Sequence, residues 1–527
     1  MPITTQKPEI AIEIQSFSPE ILSFLNESKV DELIAGLRER IRLDARKIGV
    51  KNHLPENLKN KIGDNPYISD VYDDDGNQYV DIVQEGGGVL GIAHVGFIYV
   101  LEQMGIRFFS MAGASAGAIT TMLLASIGDC RKDKKSEKML EYLVKLELFK
   151  FVDGKKFKTI LEYALKTNHF RLLYNTLKYF ISGFIFISVL DVAFNLNYIF
   201  NHSLKIFTCI LTFSVLLGMI ILGLLYLKLR NYFKLITQVG EIGLNPGDVF
   251  HEWIKDKLKQ NGIVNLENLK SKFEKVQQLN LELVPDQSRD GILAGRIVEA
   301  KPPDTPVLCI IATDITTNNK IEFPRMWDLF AEDKSKSYPA DYVRASMSIP
   351  LFFKCFEMNV QSGTRRILGA WEKHLQNRDF RAIPLKVTFL DGGLLSNFPI
   401  NVFYHPDYTV PRMPTIGIRL VDKSVHNSTE KIKFAQFILN TFYLVKNSFD
   451  NNFLINNPSF ETGVALVDVA HFNWLDFFMT EKKKIDLFKA GSEAAISFLE
   501  HFDWIQYKAK RKSDAEEQFT KFPNNWN

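Results

Sequence analysis

The sequence contains a serine in a setting that could make it a nucleophile. The pattern is Gly-x-Ser-x-Gly, and its residues are Gly113, Ala114, Ser115, Ala116 and Gly117. An apolar run at 108–112 precedes the pattern, and a helical pattern at 118–127 follows it. A strand, a sharp turn and a helix in that order expose a serine hydroxyl at the turn. These residues predict a nucleophile elbow around Ser115, with a small-residue turn that does no chemistry as the alternative.

A glycine cluster ahead of that serine could hold negative charge. Its residues are Gly86, Gly87, Gly88, Val89, Leu90 and Gly91. It follows a predicted strand at 79–83 and precedes a predicted helix at 91–104. Because glycine has no Cβ, backbone N–H groups approach a ligand closely here, and a helix N-terminus directs them at negative charge. The cluster therefore suits an oxyanion or a phosphate, or it is a structural turn.

Two nucleotide-binding motifs are alternative interpretations of the same glycines. The Gly-Lys-Ser/Thr ending of a P-loop does not follow them. Gly86, Gly88 and Gly91 do fit the dinucleotide spacing Gly-x-Gly-x-x-Gly. That motif also requires an acidic residue at a strand end about 20 residues later, which is missing. A dinucleotide-binding oxidoreductase is therefore a weak alternative.

An acidic residue far along the chain is the third candidate for chemistry. Asp391 is followed by Gly392 and Gly393, and all three come directly after a predicted strand at 387–390. An acid at the carboxyl end of a strand is well placed for chemistry in an open α/β sheet. A simple Asp-Gly turn is the alternative.

The elements around these motifs indicate an α/β fold. Short apolar runs at 307–312, 387–390 and 415–418 alternate with longer amphipathic segments, which favours a largely parallel sheet. Residues 1–78 are predicted to form a helical N-terminal extension. Residues 506–527 are predicted to be a polar C-terminal tail, in which the basic run at 508–512 is solvated.

Composition excludes several classes of protein. The chain has 527 residues, of which 46% are hydrophobic and 24% charged, so wholesale disorder is excluded. A net charge of +3 gives no reason to expect a nucleic-acid partner. The four cysteines form no Cys-x-x-Cys pair, so neither a zinc site nor a disulfide framework is indicated. No secretory signal peptide is expected in residues 1–13.

The middle of the chain is far more apolar than the rest. The segment 206–227 has no charged residue over 22 positions, 14 of which are Leu, Ile, Val or Phe. About 20 apolar residues span a bilayer. The segment 179–200 is a weaker second candidate, with 13 such residues and Asp191 near its centre. A central Asp costs about 2.5–3.5 kcal/mol, which thirteen large apolar residues offset with roughly 4–8 kcal/mol.

Taken together, these motifs resemble those of the patatin-like phospholipases. The blocks that carry the resemblance are Glu85–Ile106, Ala312–Asp314, Arg344–Pro350, Asp391–Pro399 and Leu475–Leu499. They cover roughly 79–130 and 300–500. The resemblance implies a three-layer α/β fold around a mostly parallel sheet, and a serine acyl hydrolase. No metal or organic cofactor is expected, because the sequence contains no cluster of ligands.

The resemblance also implies how the site residues act. Ser115 attacks an ester carbonyl, and Asp391 takes its proton and later activates water, with no catalytic histidine. The oxyanion hole is expected from the glycine loop, namely Gly86, Gly87, Gly88, Val89 and Gly91, with its N–H donors around Gly87 to Val89. A Ser-His-Asp triad through His405 or His471 is the mechanistic rival. His94 is expected to be a packed or orienting side chain, and a catalytically silent lipid-binding scaffold is the rival function.

The dyad constrains the apolar segment between its members. If Ser115 and Asp391 share a site, the chain must return to the same side of a membrane. Either both apolar segments cross as a hairpin, or both lie within protein or one leaflet, and we predict a transmembrane hairpin at 179–227. That hairpin would interrupt one catalytic domain, formed by 79–178 and 228–505. Six basic residues flank it: Lys166, Arg171, Lys178, Lys228, Arg230 and Lys234. Only Lys205 lies in its short loop, so the catalytic parts are predicted to face the cytoplasm. Membrane lipids are the expected substrate and anchor, while protein partners cannot be predicted.

Overall fold

The structure is a computed structural model. It describes residues 18–52, 54, 56–128, 132–154, 243, 245–274, 282–283, 292–293, 296–297, 306–350, 352–361, 364–376, 383–404, 410–422 and 450–521, together with short helical stretches between 182 and 227.

The described elements alternate between strands and helices in most of the chain. The helices are α1 (Pro19–Ser28), α2 (Val30–Leu43), α3 (Ala45–Asn52), α4 (Glu56–Ile62), α5 (Gly91–Gln103), α6 (Ala116–Ser126), α7 (Ser136–Val144), α8 (Asp248–Gln260), α9 (Leu266–Glu274), α10 (Pro339–Ser346), α11 (Arg365–Leu375), α12 (Glu481–His501) and α13 (Trp504–Lys521). The strands are β1 (Val71–Tyr72), β2 (Gln78–Gln84), β3 (Ile106–Ala114), β4 (Glu282–Leu283), β5 (Ile292–Leu293), β6 (Arg296–Ile297), β7 (Leu308–Asp314), β8 (Asn319–Phe323), β9 (Phe356–Asn359), β10 (Lys386–Leu390), β11 (Thr415–Val421) and β12 (Val464–Asp468).

One mixed sheet organises the fold. Its main path runs β12-β11-β2-β3-β7-β10-β9. The five strands from β12 to β7 are parallel to their neighbours, whereas β10 pairs antiparallel with β7 and β9. All nine residues of the central strand β3 are buried, as expected of a strand with parallel neighbours that is covered on both faces. The predicted α/β class with a mostly parallel central sheet is confirmed.

Side chains of one strand enter two separate apolar clusters. Ile310 and Ala312 of β7 belong to the larger cluster. Cys309 and Ile311 belong to a smaller one. Because alternate side chains of a strand point to opposite faces, both faces of the sheet are covered. The layered arrangement follows from this double coverage.

The first helix after the glycine loop is packed very closely against a helix near the C-terminus. Gly96 of α5 faces the backbone of α12, and a Cβ built there would lie 2.0 Å from the carbonyl oxygen of Phe488. Gly491 of α12 faces α5 in return, with its Cβ position 1.9 Å from the carbonyl oxygen of Ala93. The two glycines let the helix backbones approach to contact, and this contact fixes α5 behind the glycine loop.

A buried ionic cluster joins the N-terminal extension to the last described helix. The Asp70 carboxylate accepts hydrogen bonds from Trp504 Nε1 at 2.7 Å and Lys508 Nζ at 3.0 Å. Arg412 completes the cluster at 3.3 Å. Asp70 is buried, and these partners supply the compensation that a buried charge requires. The N-terminal extension and α13 are thus joined through the carboxylate that precedes β1.

The C-terminal segment is less solvated than the sequence predicts in the part that the structure describes. Residues 504–521 form α13, in which Trp504 and Tyr507 are buried. Arg511, which the basic run would place in solvent, is also buried, with its guanidinium over the ring of Phe460 at 3.8 Å. The polar residues alternate with these buried ones at helical spacing, and the charge count concealed that pattern.

The start of one helix differs from the prediction, and the predicted hairpin is only partly described. The C-terminal amphipathic helix begins at Glu481 rather than near Leu475, because Thr480 caps it by accepting the Lys483 N–H and the preceding residues form a loop. Most of the predicted hairpin at 179–227 lies outside the described residues. Among the residues that are described, no helix combines the length and apolar character that crossing a bilayer requires.

The contact between α5 and α12 predicts a site-specific loss of stability. Gly491→Ala is expected to lower the free energy of unfolding by about 1–3 kcal/mol, because the added methyl group meets a rigid carbonyl. Gly369→Ala in α11 is the matched control, since nothing lies within 4 Å of its Cβ position. That change is expected to stabilise by roughly 0.5–1 kcal/mol. Urea unfolding measures both, and equal stability of the two variants would contradict the packing described.

Candidate active site

Ser115 lies at the turn between β3 and α6 with a backbone that few residues adopt. Its φ is 52° and its ψ is −122°. A positive φ is uncommon for a residue with a Cβ and stores local strain. This conformation is the sharp strand-to-helix turn that a nucleophile elbow requires. Its carbonyl oxygen accepts the Ala118 N–H at 2.9 Å, so the helix begins immediately after the serine and directs its N-terminal dipole at the site.

The two glycines of the Gly-x-Ser-x-Gly pattern occupy positions that have no room for a side chain. A Cβ at Gly113 would lie 2.4 Å from the carbonyl oxygen of Gly117. A Cβ at Gly117 would lie 2.1 Å from the carbonyl oxygen of Gln84, the last residue of β2. The start of α6 therefore lies directly against β2 and β3. Ala114 and Ala116 are also buried, which agrees with the small neighbours that the pattern predicts.

The fold brings the predicted acid to the serine. Ser115 Oγ donates a hydrogen bond to Asp391 Oδ2 at 2.7 Å, although the two residues are 276 positions apart. The Gly393 N–H donates to the other oxygen, Asp391 Oδ1, at 2.8 Å. Gly392 lies against β7, where a Cβ would be 1.9 Å from the carbonyl oxygen of Ile311. Ser115 is 5% and Asp391 8% exposed, so their contact is enclosed by protein.

The end of α10 holds both members of this pair, and sequence reasoning assigned it no role. The Ser115 N–H donates to Ser346 Oγ at 2.9 Å. The Asp391 N–H donates to the carbonyl oxygen of Ser348 at 2.9 Å. Between them, Met347 Sδ lies 3.5 Å from Ser115 Oγ. The only signal in the sequence was that these residues belong to the block Arg344–Pro350.

Arg344 anchors this block from behind. Its guanidinium donates to Ser348 Oγ at 2.9 Å and to the carbonyl oxygens of Pro246 and Lys354, both at 2.8 Å. Burial lowers the pKa of Arg344 to about 10, so the side chain stays charged at neutral pH. Arg344 thereby connects the residues at the end of α10, which hold Ser115 and Asp391, to the chain that returns from the apolar middle segment.

The glycine loop lies against the serine, and some of its N–H groups are already engaged. A Cβ at Gly86 would lie 2.9 Å from Ser115 Cβ. The Gly86 N–H donates to the carbonyl oxygen of Asn397, and the Val89 N–H to that of Trp474, both at 3.0 Å. Gly91 begins α5. The N–H groups of Gly87 and Gly88 can therefore serve an oxyanion without first leaving a backbone partner.

The histidines that could compete with this arrangement differ in their surroundings. His94 is fully buried, and desolvation lowers its pKa to about 3, so it is neutral. Its Nδ1 lies 3.4 Å from Thr120 Oγ1. His471 is exposed, and His405 lies outside the described residues. Ser115 Oγ donates directly to the Asp391 carboxylate, with no imidazole between them.

An apolar cavity of about 40 Å³ opens beside the serine. Its lining includes Gly88 of the glycine loop, Ala116 and Met347, and the aromatic side chains of Phe151, Trp253 and Phe477. One water needs about 10–15 Å³ of such space, so the cavity has room for a few, but its walls offer them few polar partners. Its chemistry suits hydrocarbon.

Among the described residues, no group of three or more His, Cys, Asp or Glu side chains is arranged to hold a metal ion. The absence of a cofactor stays a prediction.

The serine and the acid predict a specific pattern of covalent labelling. Ser115→Ala is expected to abolish labelling by a fluorophosphonate probe, because the only activated hydroxyl of the described site is removed. Asp391→Asn is expected to slow labelling by about 10²–10⁴-fold, the usual worth of a general base. Ser497→Ala, an exposed serine on α12, is the control and should label like the parent. Labelling that persists in Ser115→Ala would contradict this assignment.

Comparison with known proteins agrees with this geometry. A family model described as patatin-like phospholipase matches residues 82–404, more than half of the chain. The chain is 23% identical over 427 residues to the uncharacterized protein YqhO of Bacillus subtilis (strain 168), which covers 81% of this chain and 100% of that protein.

Two solved structures are also similar. VipD from Legionella pneumophila is 12% identical with a TM-score of 0.31, covering 80% of this chain and 67% of VipD. The ExoU-SpcU complex of the Pseudomonas aeruginosa type III secretion system is 16% identical with a TM-score of 0.26, covering 80% of this chain and 51% of the other. TM-scores this low do not establish a common fold, so the assignment depends on the family model. On that match, the chain belongs to the patatin-like phospholipase family and is a carboxylic-ester hydrolase.

Proposed function

We propose that the protein is a membrane-anchored serine hydrolase of the phospholipase A or lysophospholipase type, which cleaves carboxylic esters of membrane lipids through an acyl-enzyme. The observation that carries this proposal is the 2.7 Å hydrogen bond from Ser115 Oγ to Asp391 Oδ2 at a strained elbow. A hydroxyl that already donates a hydrogen bond to a carboxylate oxygen can pass its proton to that oxygen as it attacks, without a preceding rearrangement.

In the first half of the reaction, Ser115 Oγ bonds to the ester carbonyl carbon and its proton passes to Asp391 Oδ2. The carbonyl oxygen becomes an oxyanion, which the N–H groups of Gly87 and Gly88 and the N-terminus of α6 would stabilise. When the tetrahedral intermediate collapses, the bond to the leaving oxygen breaks and Asp391 returns the proton to that oxygen. The products are a lyso-lipid or free alcohol and Ser115 acylated on Oγ.

In the second half, water replaces the alcohol. Asp391 takes one proton from the water as the water oxygen bonds to the acyl carbon, and the same N–H groups hold the oxyanion. Collapse breaks the bond to Ser115 Oγ, which regains a proton from Asp391, and a fatty acid leaves. The Gly393 N–H on Asp391 Oδ1 supports this cycle, because it keeps Oδ2 turned toward the serine.

The apolar cavity supports a lipid rather than a polar ester as substrate. Its lining includes Gly88 of the glycine loop and Ala116, the residue after the nucleophile, together with aromatic side chains. An acyl chain that enters it would bring its carbonyl carbon to Ser115. Because the cavity is small in this structure, a long chain requires side chains such as Trp253 or Phe477 to turn aside.

Two observations support an anchor in the apolar middle segment. The Gly154 N–H donates to Asn245 Oδ1, and the Gly247 N–H to Asp153 Oδ1, both at 3.1 Å. The chain therefore leaves the catalytic domain and returns to it at one place, as a hairpin would. The described stretches of this segment carry exposed large apolar side chains: Ile185, Phe186, Val189, Phe213, Leu216, Leu217, Met219, Ile220, Ile221, Leu224 and Leu227. Apolar exposure on this scale is typical of surfaces that contact a membrane or partner.

The proposed orientation follows from charge. Six basic residues flank the apolar segment against one in its short loop, which favours catalytic parts on the cytoplasmic side. The same basic flanks suit anionic headgroups. Of the residues that line the cavity, Phe151 precedes the point where the chain leaves the catalytic domain and Phe250 follows the point where it returns. In this arrangement the cavity lies near the bilayer surface.

The proposed activity predicts a serine-dependent release of fatty acid. The parent is expected to hydrolyse at least one member of a panel of diacyl phospholipids, lysophospholipids and neutral glycerides in mixed micelles. Ser115→Ala should reduce that rate by several orders of magnitude, since removal of a catalytic nucleophile in such enzymes leaves only residual catalysis. Ser497→Ala is the control. Liposome binding that survives Ser115→Ala, with no turnover in the parent, would instead identify a catalytically silent scaffold.

The proposed anchor predicts behaviour in fractionation. The full chain is expected to remain with membranes after alkaline carbonate extraction and to be released by detergent, because hydrocarbon contact survives high pH and loss of ionic contacts. A protease site placed in the loop at 201–205 should be protected in vesicles whose cytoplasmic side faces outward, while one after residue 521 should be cut. Complete solubility without detergent would discard the hairpin, and the reverse protection pattern would discard the orientation.

A further inference from the structure

The side chain of Asn397 lies between the glycine loop and the acid block. Its Nδ2 donates to Glu85 Oε1 at 2.9 Å and to the carbonyl oxygen of Gly86 at 3.2 Å. The backbone carbonyl oxygen of Asn397 accepts the Gly86 N–H at 3.0 Å. Asn397 therefore holds Gly86 by both of that residue's backbone polar groups. Asn397 is only 2% exposed, so these bonds are sheltered from water.

The orientation of the Asn397 amide is fixed by its surroundings. Both neighbours of Nδ2 are acceptors, and a flipped amide would place its oxygen against the Glu85 carboxylate and the Gly86 carbonyl. Glu85 is itself held, because its Oε2 accepts the Leu420 N–H of β11 at 2.6 Å. The parallel sheet thus determines where the carboxylate lies, and the carboxylate determines how the amide points.

The other end of the amide is unsatisfied. Asn397 Oδ1 is buried and has no hydrogen-bond partner. It lies over two glycines, since a Cβ at Gly86 would be 2.4 Å and a Cβ at Gly393 2.6 Å from this oxygen. An unpaired buried acceptor costs about 1–3 kcal/mol. Unsatisfied buried groups are expected mainly at functional sites. Here the reason lies in the two hydrogen bonds that Nδ2 of the same amide donates.

Those donors set the plane of one peptide bond. In a trans peptide the C=O and the following N–H point in opposite directions. Because the Gly86 oxygen is bonded toward Asn397 Nδ2, the Gly87 N–H is directed away from Asn397. Gly86 lies against Ser115, with its Cβ position 2.9 Å from Ser115 Cβ. A turn of the Gly86–Gly87 peptide would redirect the Gly87 N–H from the oxyanion that forms beside the serine.

We propose that Asn397, held by Glu85, is a positioning residue that fixes the Gly86–Gly87 peptide and so aims the Gly87 N–H at the oxyanion. The proposal rests on the proposed hydrolase function. Asn397 touches neither substrate nor the reacting atoms, and it acts only through the glycine loop. Its removal weakens binding of the transition state without changing the acid or the nucleophile.

A reciprocal exchange separates this role from a structural one. In the double variant Glu85→Gln with Asn397→Asp, the amide of residue 85 can still accept the Leu420 N–H and can donate to the carboxylate at 397. The bond between the two side chains and the number of charges are kept, but the donor to the Gly86 oxygen is lost. Asn397→Asp alone brings two carboxylates together and is expected to lose stability as well as activity.

The expected result is recovery of stability without recovery of activity. Urea unfolding of the double variant should resemble that of the parent, while kcat falls about 10²-fold, the usual cost of one oxyanion donor. In the uncharged variant Asn397→Ala, the pH dependence of kcat should not shift, because Ser115 and Asp391 are unchanged and no charge is placed beside them. Affinity for a trifluoromethyl ketone lipid should fall by the same factor as kcat. Ser115 Oγ bonds to the carbonyl carbon of this ketone, the hydroxyl proton passes to Asp391, and the ketone oxygen becomes an oxyanion. Affinity for an uncleavable ether lipid should stay that of the parent.

Asn397→Ala is the second variant if the double variant fails to fold, and the loss of ketone affinity relative to ether affinity is again expected. Asn401→Asp, exposed and four residues away, is the matched control. Parent-like kcat and ketone affinity in a folded variant that lacks the Asn397 amide would overturn the proposal. A parent that hydrolyses no ester would instead overturn the proposed function, and the ketone comparison would still test the aim of the Gly87 N–H.

Discussion

The hydrogen bond between Ser115 and Asp391 is the constraint on which the rest of the site depends. It joins the end of β3 to the end of β10 across 276 positions. Those two strands do not pair directly, because β7 lies between them. The contact therefore requires the register of three strands and the turn at each end to be correct together. The end of α10 secures that requirement, since Ser346 holds the Ser115 N–H and Ser348 holds the Asp391 N–H.

A second layer of contacts ties this pair to the sheet and to the apolar segment. Glu85 and Asn397 connect the glycine loop with the acid block. Arg344 connects the end of α10 with Pro246, where the chain has just returned from the middle segment. The residues nearest the chemistry are thus held by buried polar groups, which fix geometry more sharply than apolar contacts because each has a direction. Under the proposed function, the same contacts place the site beside the membrane anchor.

Sequence patterns predicted the local parts of this arrangement well. The Gly-x-Ser-x-Gly residues, the helix after them and the strand before Asp391 are short-range features, and each matches an element of the structure. The buried run of β3 could be recognised because a parallel strand covered on both faces is continuously apolar. The strained φ of Ser115 follows from the same turn.

Long-range features could not be predicted in this way. The roles of Ser346, Ser348 and Asn397 depend on which distant segments the folded chain brings beside them. The types of the neighbouring residues in the sequence do not indicate those contacts. The C-terminal helix was misjudged because charge count conceals a buried stripe of Trp504, Tyr507 and Arg511. The engagement of the Val89 N–H by the Trp474 carbonyl is likewise a contact between distant segments.

The most direct test of the central claim is the mass of the protein during turnover. The parent is mixed with a phospholipid ester, quenched in acid within the first turnovers, and digested for mass spectrometry. The account predicts that the peptide containing Ser115 gains the mass of one fatty acid less one water, and that the adduct disappears as fatty acid is released. Ester cleavage with no adduct, or with an adduct on another residue, would contradict the account.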